Sequence, residues 1–152
     1  MIFIAHNIRS LHNVGAIFRS ADAFAIERLY LTGYTGHPPR KEISKVALGS
    51  DQRVAWEGRE DVLTLIQELQ QQGRCVVALD NIERATILEQ VKQAVGEKPL
   101  VCIAGNEVEG LEPAVLDACE YVAMIAMPGA KQSLNVSVAA GIAMFALTQK
   151  NG

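Results

Sequence analysis

Three short stretches gather most of the side chains in this sequence that could bind or activate a substrate. The first is His6-Asn7-Ile8-Arg9-Ser10-Leu11-His12-Asn13-Val14-Gly15, which leads into a helical pattern carrying Arg19. Asn13 is suited to capping that helix. Arg19 stands among Ile17, Phe18, Ala21 and Phe24, so its guanidinium either snorkels to solvent or faces an anion. The second stretch is Gly105-Asn106-Glu107-Val108-Glu109-Gly110-Leu111. Gly105 would let a ligand approach the backbone, and Glu107 could orient a hydroxyl or a ribose. Acidic residues ahead of a helix also suit its dipole, and Pro113 fits the first turn of such a helix. The third stretch runs from Ala126 to Ser137 and contains Ser133, Asn135 and Ser137. Each of these three could cap the final helix, but one helix needs one N-cap, so the surplus polarity requires another explanation.

Each stretch follows a short apolar run. Strands are expected at Met1–Ala5, Arg28–Thr32, Cys75–Leu79, Leu100–Ala104 and Tyr121–Ile125, with nearly continuous apolar content as in strands buried on both faces. Helices are expected at Val14–Phe24, Glu60–Gln72, Glu112–Ala118 and Val136–Thr148, where apolar residues recur near helical spacing. This alternation predicts an α/β fold with a mainly parallel sheet flanked by helices. Ligands of such sheets bind outside the carboxyl ends of strands, which is where the three polar stretches fall. Between Gly33 and Arg59 the turn signals of GYTGHPPRKE give way to only a short helical pattern around Ile43–Leu48. The last helix is apolar around most of its circumference, so it requires burial on more than one side, by a large core or by a second subunit.

The 152 residues, 49% of them hydrophobic, suit one compact domain over 1–152. A net charge of −3 argues against a protein held to nucleic acid by bulk electrostatics, so any RNA contact must be local. Cys75, Cys102 and Cys119 are odd in number and widely spaced, which suggests buried reduced thiols rather than a disulfide framework or metal site. With no signal-peptide pattern and no uninterrupted membrane-length apolar run, the expected location is cytoplasmic. Neither GxGxxG nor GxxxxGK[ST] occurs, which disfavours a dinucleotide-binding dehydrogenase or a P-loop NTPase.

Taken in order, NVGAIFRSADAF, AGNEVEGL and IAMPGAKQSLNVSVAAGIA resemble the three motifs of the SpoU/TrmH-type RNA ribose 2′-O-methyltransferases of the SPOUT superfamily. The resemblance extends from the first strand to the last. It implies a deep C-terminal trefoil knot, S-adenosylmethionine held in a bent form by the knot loops, and a homodimer whose active site uses both subunits. It makes Asn13, Arg19, Glu107, Ser133 and Asn135 the catalytic candidates, and Leu79, Gly105, Ile125, Met127 and Leu134 the cofactor-binding candidates. One departure is visible. The family often has Ile-Pro-Met entering its third motif, whereas here Ala126 replaces that proline and Pro128 follows two residues later.

The implied reaction is methyl transfer from the cofactor to a ribose 2′-hydroxyl, with no metal and no membrane partner. Relatives are thought to use the first-motif arginine to activate the hydroxyl with help from an RNA phosphate. Because arginine ordinarily stays protonated, Arg19 is read chiefly as a phosphate and oxyanion clamp. Glu107 would orient the loop or substrate, while Ser133 and Asn135 would position the ribose and first-motif loop. The expected substrate is tRNA, ahead of rRNA. Arg9, Arg40, Lys41, Lys45, Arg53 and Lys131 are candidate phosphate contacts, and no separate RNA-binding domain is expected. Competing readings are a base-modifying enzyme of the same fold, a non-catalytic RNA-binding or assembly protein, and a small-molecule-binding α/β protein.

Overall fold

The computed structural model describes residues 1–106 and 108–150. Seven strands form one sheet: β1 (Ile2–His6), β2 (Arg28–Thr32), β3 (Trp56–Arg59), β4 (Cys75–Leu79), β5 (Thr86–Ile87), β6 (Leu100–Ala104) and β7 (Tyr121–Met124). Their order is β3-β2-β1-β6-β4-β7-β5, and every pairing is parallel. The helices are α1 (Leu11–Ala23), α2 (Lys41–Ala47), α3 (Ser50–Arg53), α4 (Val62–Gln71), α5 (Leu88–Val95), α6 (Pro113–Ala118) and α7 (Val136–Thr148).

The strand period of two divides the core between the two faces of the sheet. Along β1, Phe3 and Ala5 join one cluster with residues of α1, α2, α5 and α7, while Ile2 and Ile4 join another with residues of α4 and α6. β1 and β6 are buried throughout, as their apolar sequences predict. β3, β5, α3 and α5 are additions to the expected set. The two strands lie at the sheet edges, and WEGR and TI carry no apolar run to announce them. α5 buries Leu88, Val91 and Val95, a one-face spacing obscured by the polar residues between them.

The start of α1 also differs from expectation. Its N-cap is Ser10, whose hydroxyl accepts from the Asn13 N–H, so Asn13 lies within the first turn and its buried side chain is available elsewhere. Cys75 and Cys102 are buried and Cys119 partly so, all as free thiols; burial pushes the Cys119 thiol up to about 12. Among the described residues no helix is long and apolar enough to cross a membrane.

Close contact between α1 and α2 depends on Gly15. A Cβ there would lie 2.6 Å from the Ile43 carbonyl oxygen and 2.9 Å from the Val46 Cβ. Alanine favours a helix over glycine by about 1 kcal/mol, but overpacking against a fixed backbone costs about 1–3 kcal/mol. Gly15→Ala is therefore expected to lower the melting temperature by a few degrees in a calorimetric scan, and Gly15→Val by more. A raised midpoint for Gly15→Ala would show that propensity outweighs the contact.

Candidate functional site

A cavity of about 350 Å³ opens where the carboxyl ends of β4, β6 and β7 meet. Leu79 and Asp80 come from the end of β4, Ala104 and Gly105 from the end of β6, and Met124 and Ile125 from the end of β7; Met127, Ser133, Leu134 and Val136 complete the far side. All five residues named as cofactor contacts from the sequence, Leu79, Gly105, Ile125, Met127 and Leu134, line this cavity. The replacement of proline by Ala126 does not displace Ile125 or Met127 from its wall.

The loop after β6 is held by its own polar groups. The buried Asn106 accepts from the Val108 and Glu109 N–H groups at 2.8 and 3.2 Å, and its carbonyl accepts from the Gly110 N–H. Gly110 has φ +70°, a conformation that a side chain disfavours, and a Cβ there would meet the Asp80 carboxylate at 2.9 Å. That carboxylate accepts the Leu111 N–H at 3.1 Å, joining the β4 and β6 loops. Gly105 serves the same packing, since a Cβ would fall 2.6 Å from Leu111 Cδ2 and 3.1 Å from the Gly110 carbonyl. Asn81 donates to the Gln132 carbonyl at 2.6 Å and ties in the loop before α7. Asp80 and Asn81 are site residues that sequence reasoning passes over, and Asn106 falls in the second polar stretch without an assigned role. Asp80 and Asn81 carried a usable signal, because two polar residues directly follow an apolar strand.

The catalytic candidates are distributed differently. Ser133 lines the cavity. Asn135 is the N-cap of α7, accepting the Ser137 N–H at 2.8 Å, and its amide donates to Asn13 Oδ1 at 3.3 Å. The first and third polar stretches thus meet through an asparagine pair. Glu107 lies outside the described residues. Arg19 is exposed and borders a second, apolar groove between α1 and α7, with Phe24, Val138, Ile142 and Phe145. Neither Arg19, Asn13 nor Asn135 is among the described residues lining the cavity.

The cations proposed for phosphate contact are all exposed, yet not equally available. Arg53 is bound to Asp22 at 2.7 Å and holds that carboxyl below the usual range, together with Ser50. Arg40 lies 4.0 Å from Glu42, and Arg9 stands over the Tyr34 ring.

Residues 1–145 match the SpoU rRNA Methylase family. The tRNA (guanosine(18)-2′-O)-methyltransferase of Aquifex aeolicus is 31% identical over 95% of this chain and 67% of its own length. The 23S rRNA (guanosine-2′-O-)-methyltransferase of Vibrio vulnificus is 30% identical over 95% of this chain and 57% of its own. The crystal structure of an AdoMet-bound rRNA methyltransferase from Sinorhizobium meliloti superposes with a TM-score of 0.88 at 26% identity, covering 96% of this chain and 54% of that one. The chain therefore spans two thirds of the first relative and little more than half of the other two. With the second and third motifs set on strand ends around one cavity, the first joined to them through Asn13 and Asn135, and the same fold in a solved relative, the chain belongs to the SpoU rRNA Methylase family.

Proposed function

We propose that this chain transfers a methyl group from S-adenosylmethionine to a ribose 2′-hydroxyl of RNA, acting in the cytoplasm as a homodimer with a single SPOUT domain over 1–152 and a C-terminal trefoil knot. The observation that carries this reading is the cavity built by the second- and third-motif loops together with the loop after β4, with all five expected cofactor contacts in its wall. Its chemistry fits the cofactor. Leu79, Ile125, Met127 and Leu134 offer apolar surface for an adenine, while backbone groups of the loops can supply hydrogen bonds. Among the described lining residues are Asp80 and Glu109 but no lysine or arginine, which suits a ligand carrying a sulfonium and an ammonium.

When bound, the cofactor supplies a methyl carbon open to direct displacement by an oxygen. The chain must then align the ribose oxygen with that carbon and assist its proton loss. Ser133, in the cavity wall, is assigned the positioning of the ribose. Asn13 and Asn135 fix the first-motif helix against α7, and Glu107 is assigned the orienting role on family resemblance. Arg19 is assigned as a clamp for phosphate and developing oxyanion. In one protomer it borders the α1/α7 groove rather than the cavity, and a site completed by a second copy docked on that groove accounts for the separation. Names of relatives include both tRNA and rRNA enzymes; tRNA is the favoured substrate class.

The test is transfer from labelled S-adenosylmethionine to total cellular RNA, with the modified nucleoside identified. A 2′-O-methylated nucleoside is expected, and its parent RNA decides between tRNA and rRNA. A base-methylated product, or no transfer despite tight cofactor binding, would overturn the reading. A further expectation concerns Asp80→Ala. Losing the acceptor of the Leu111 N–H should weaken cofactor binding about tenfold by calorimetry, since an orphaned buried donor costs about 1–3 kcal/mol. Unchanged affinity would show that the β6 loop holds its shape alone.

A further inference from the structure

We propose that Tyr34, backed by Arg9, is a stacking platform for an unpaired RNA base at the rim of the cavity; the inference rests on RNA being the substrate. Tyr34 is 51% exposed, yet both of its polar ends are fastened. Its N–H donates to Asn7 Oδ1 at 3.1 Å, and its hydroxyl accepts from Asn106 Nδ2 at 3.1 Å. Arg9 Cζ lies 5.7 Å from the ring centroid. A tyrosine serving only the core would bury its ring and leave its hydroxyl to solvent. Here the ring is left open and the hydrogen-bonding groups are tied down, so little freedom remains to be lost when a base stacks on it.

The fastening is itself built with care by the chain. Asn7 adopts φ +55°, and its amide donates to Glu112 Oε1 at 3.1 Å. Glu112 also meets the buried His6 Nε2 at 3.1 Å, and His6 Nδ1 contacts Thr32 Oγ1 at 2.9 Å. Gly33 makes room for this arrangement, because a Cβ there would fall 1.9 Å from Asn7 Oδ1. The circuit links the ends of β1 and β2 to the loop after β6. Asn106, the residue holding the Tyr34 hydroxyl, lines the cavity, so the ring is one hydrogen bond away from the proposed reaction site.

The ligand chemistry follows from the pair of side chains. An aromatic face accepts any base, and an arginine beside it adds cation–π attraction and a phosphate donor. With a net charge of −3, the chain needs such a local contact to hold RNA. Double-stranded RNA keeps its bases stacked inside, so the occupant is an unpaired base in a loop or bulge.

The test compares binding of an RNA hairpin with an unpaired loop and a fully paired RNA duplex of the same composition, by fluorescence anisotropy. Wild type should bind the hairpin more tightly. Tyr34→Leu should weaken hairpin binding at least fivefold, the lower end of the value of one base–aromatic stack, with duplex affinity unchanged and S-adenosylmethionine affinity equal to that of Tyr34→Phe, which loses the same hydroxyl. Tyr34→Phe, which keeps the ring, should retain most hairpin affinity. No hairpin preference in wild type, its persistence in Tyr34→Leu, or equal losses on both RNAs would overturn the platform. Failure of 2′-O-methyl transfer by a wild type whose hairpin preference depends on Tyr34 would overturn the reaction and leave the platform standing.

Discussion

Arg19→Ala is expected to lower methyl transfer by about two to three orders of magnitude, the usual consequence of removing one preorganised donor from a developing charge. The cofactor's affinity should stay unchanged, because Arg19 is not among the cavity-lining residues. The melting temperature should also hold, since the side chain is exposed. The basis for singling out this cation is its first-motif position at the α1/α7 groove, together with a lack of internal partner that it shares with Lys41, Lys45 and Lys131 among the described residues. Arg53, Arg59, Arg74 and Arg84 are paired with Asp22, Glu68, Glu27 and Asp117, whereas Arg19 has no hydrogen bond or ion pair among the described residues. A guanidinium kept unpaired beside an apolar groove is available to an anion brought from outside. Arg19→Lys should recover little, because an ammonium cannot reproduce the two-pronged fork. Single-turnover rates with the three proteins decide the matter: near-normal turnover by the lysine variant would sink the clamp, and near-normal turnover by the alanine variant would remove Arg19 from the reaction.

What could be read in advance follows a physical pattern. The five central strands were legible because burial on both faces demands continuous apolar runs such as CVVAL and LVCIA. Edge strands face no such demand, and β3 and β5 left no trace of that kind. The cavity wall was legible because motif resemblance points to Leu79, Gly105, Ile125, Met127 and Leu134, and the first three also stand at strand ends. Asp80 was legible only as a polar residue directly after an apolar strand, since its work is to accept one backbone N–H from a loop 31 residues away, a contact that no local pattern encodes. The N-cap shows competition between similar residues: Ser10 and Asn13 are both good caps, and the turn geometry selects the serine. That choice releases the Asn13 side chain for Asn135, converting a residue that looked structural into a link between two motifs.

Substitution of Ile142 by aspartate is expected to abolish both self-association and methyl transfer. The apolar circumference of α7 calls for burial on more than one side, yet Val138, Ile142 and Phe145 remain exposed on one face of it. Phe24 of α1 lies against Phe145 with ring centroids 5.9 Å apart, so the two helices form one continuous apolar surface, with Arg19 at its edge. In an isolated protomer, an aspartate at this exposed position should cost little folding stability. Against a second copy, the same carboxylate would be buried without a partner, at several kcal/mol, which weakens association on the order of a hundredfold or more. Analytical ultracentrifugation should therefore find Ile142→Asp folded and monomeric. Its cofactor binding should suffer less than its transfer rate, because the cavity is built within one chain while Arg19 would serve the neighbour's. Mixing separates this arrangement from simple destabilisation. Arg19→Ala combined with a Gly105→Phe variant, whose side chain disrupts the loop packing that shapes the cavity, should regain activity that neither has alone, since a mixed dimer pairs an intact cavity from one chain with an intact Arg19 from the other. A fully active Ile142→Asp monomer would overturn both the interface and the shared site, and absence of recovery in a verified mixed dimer would place Arg19 and its cavity on the same chain.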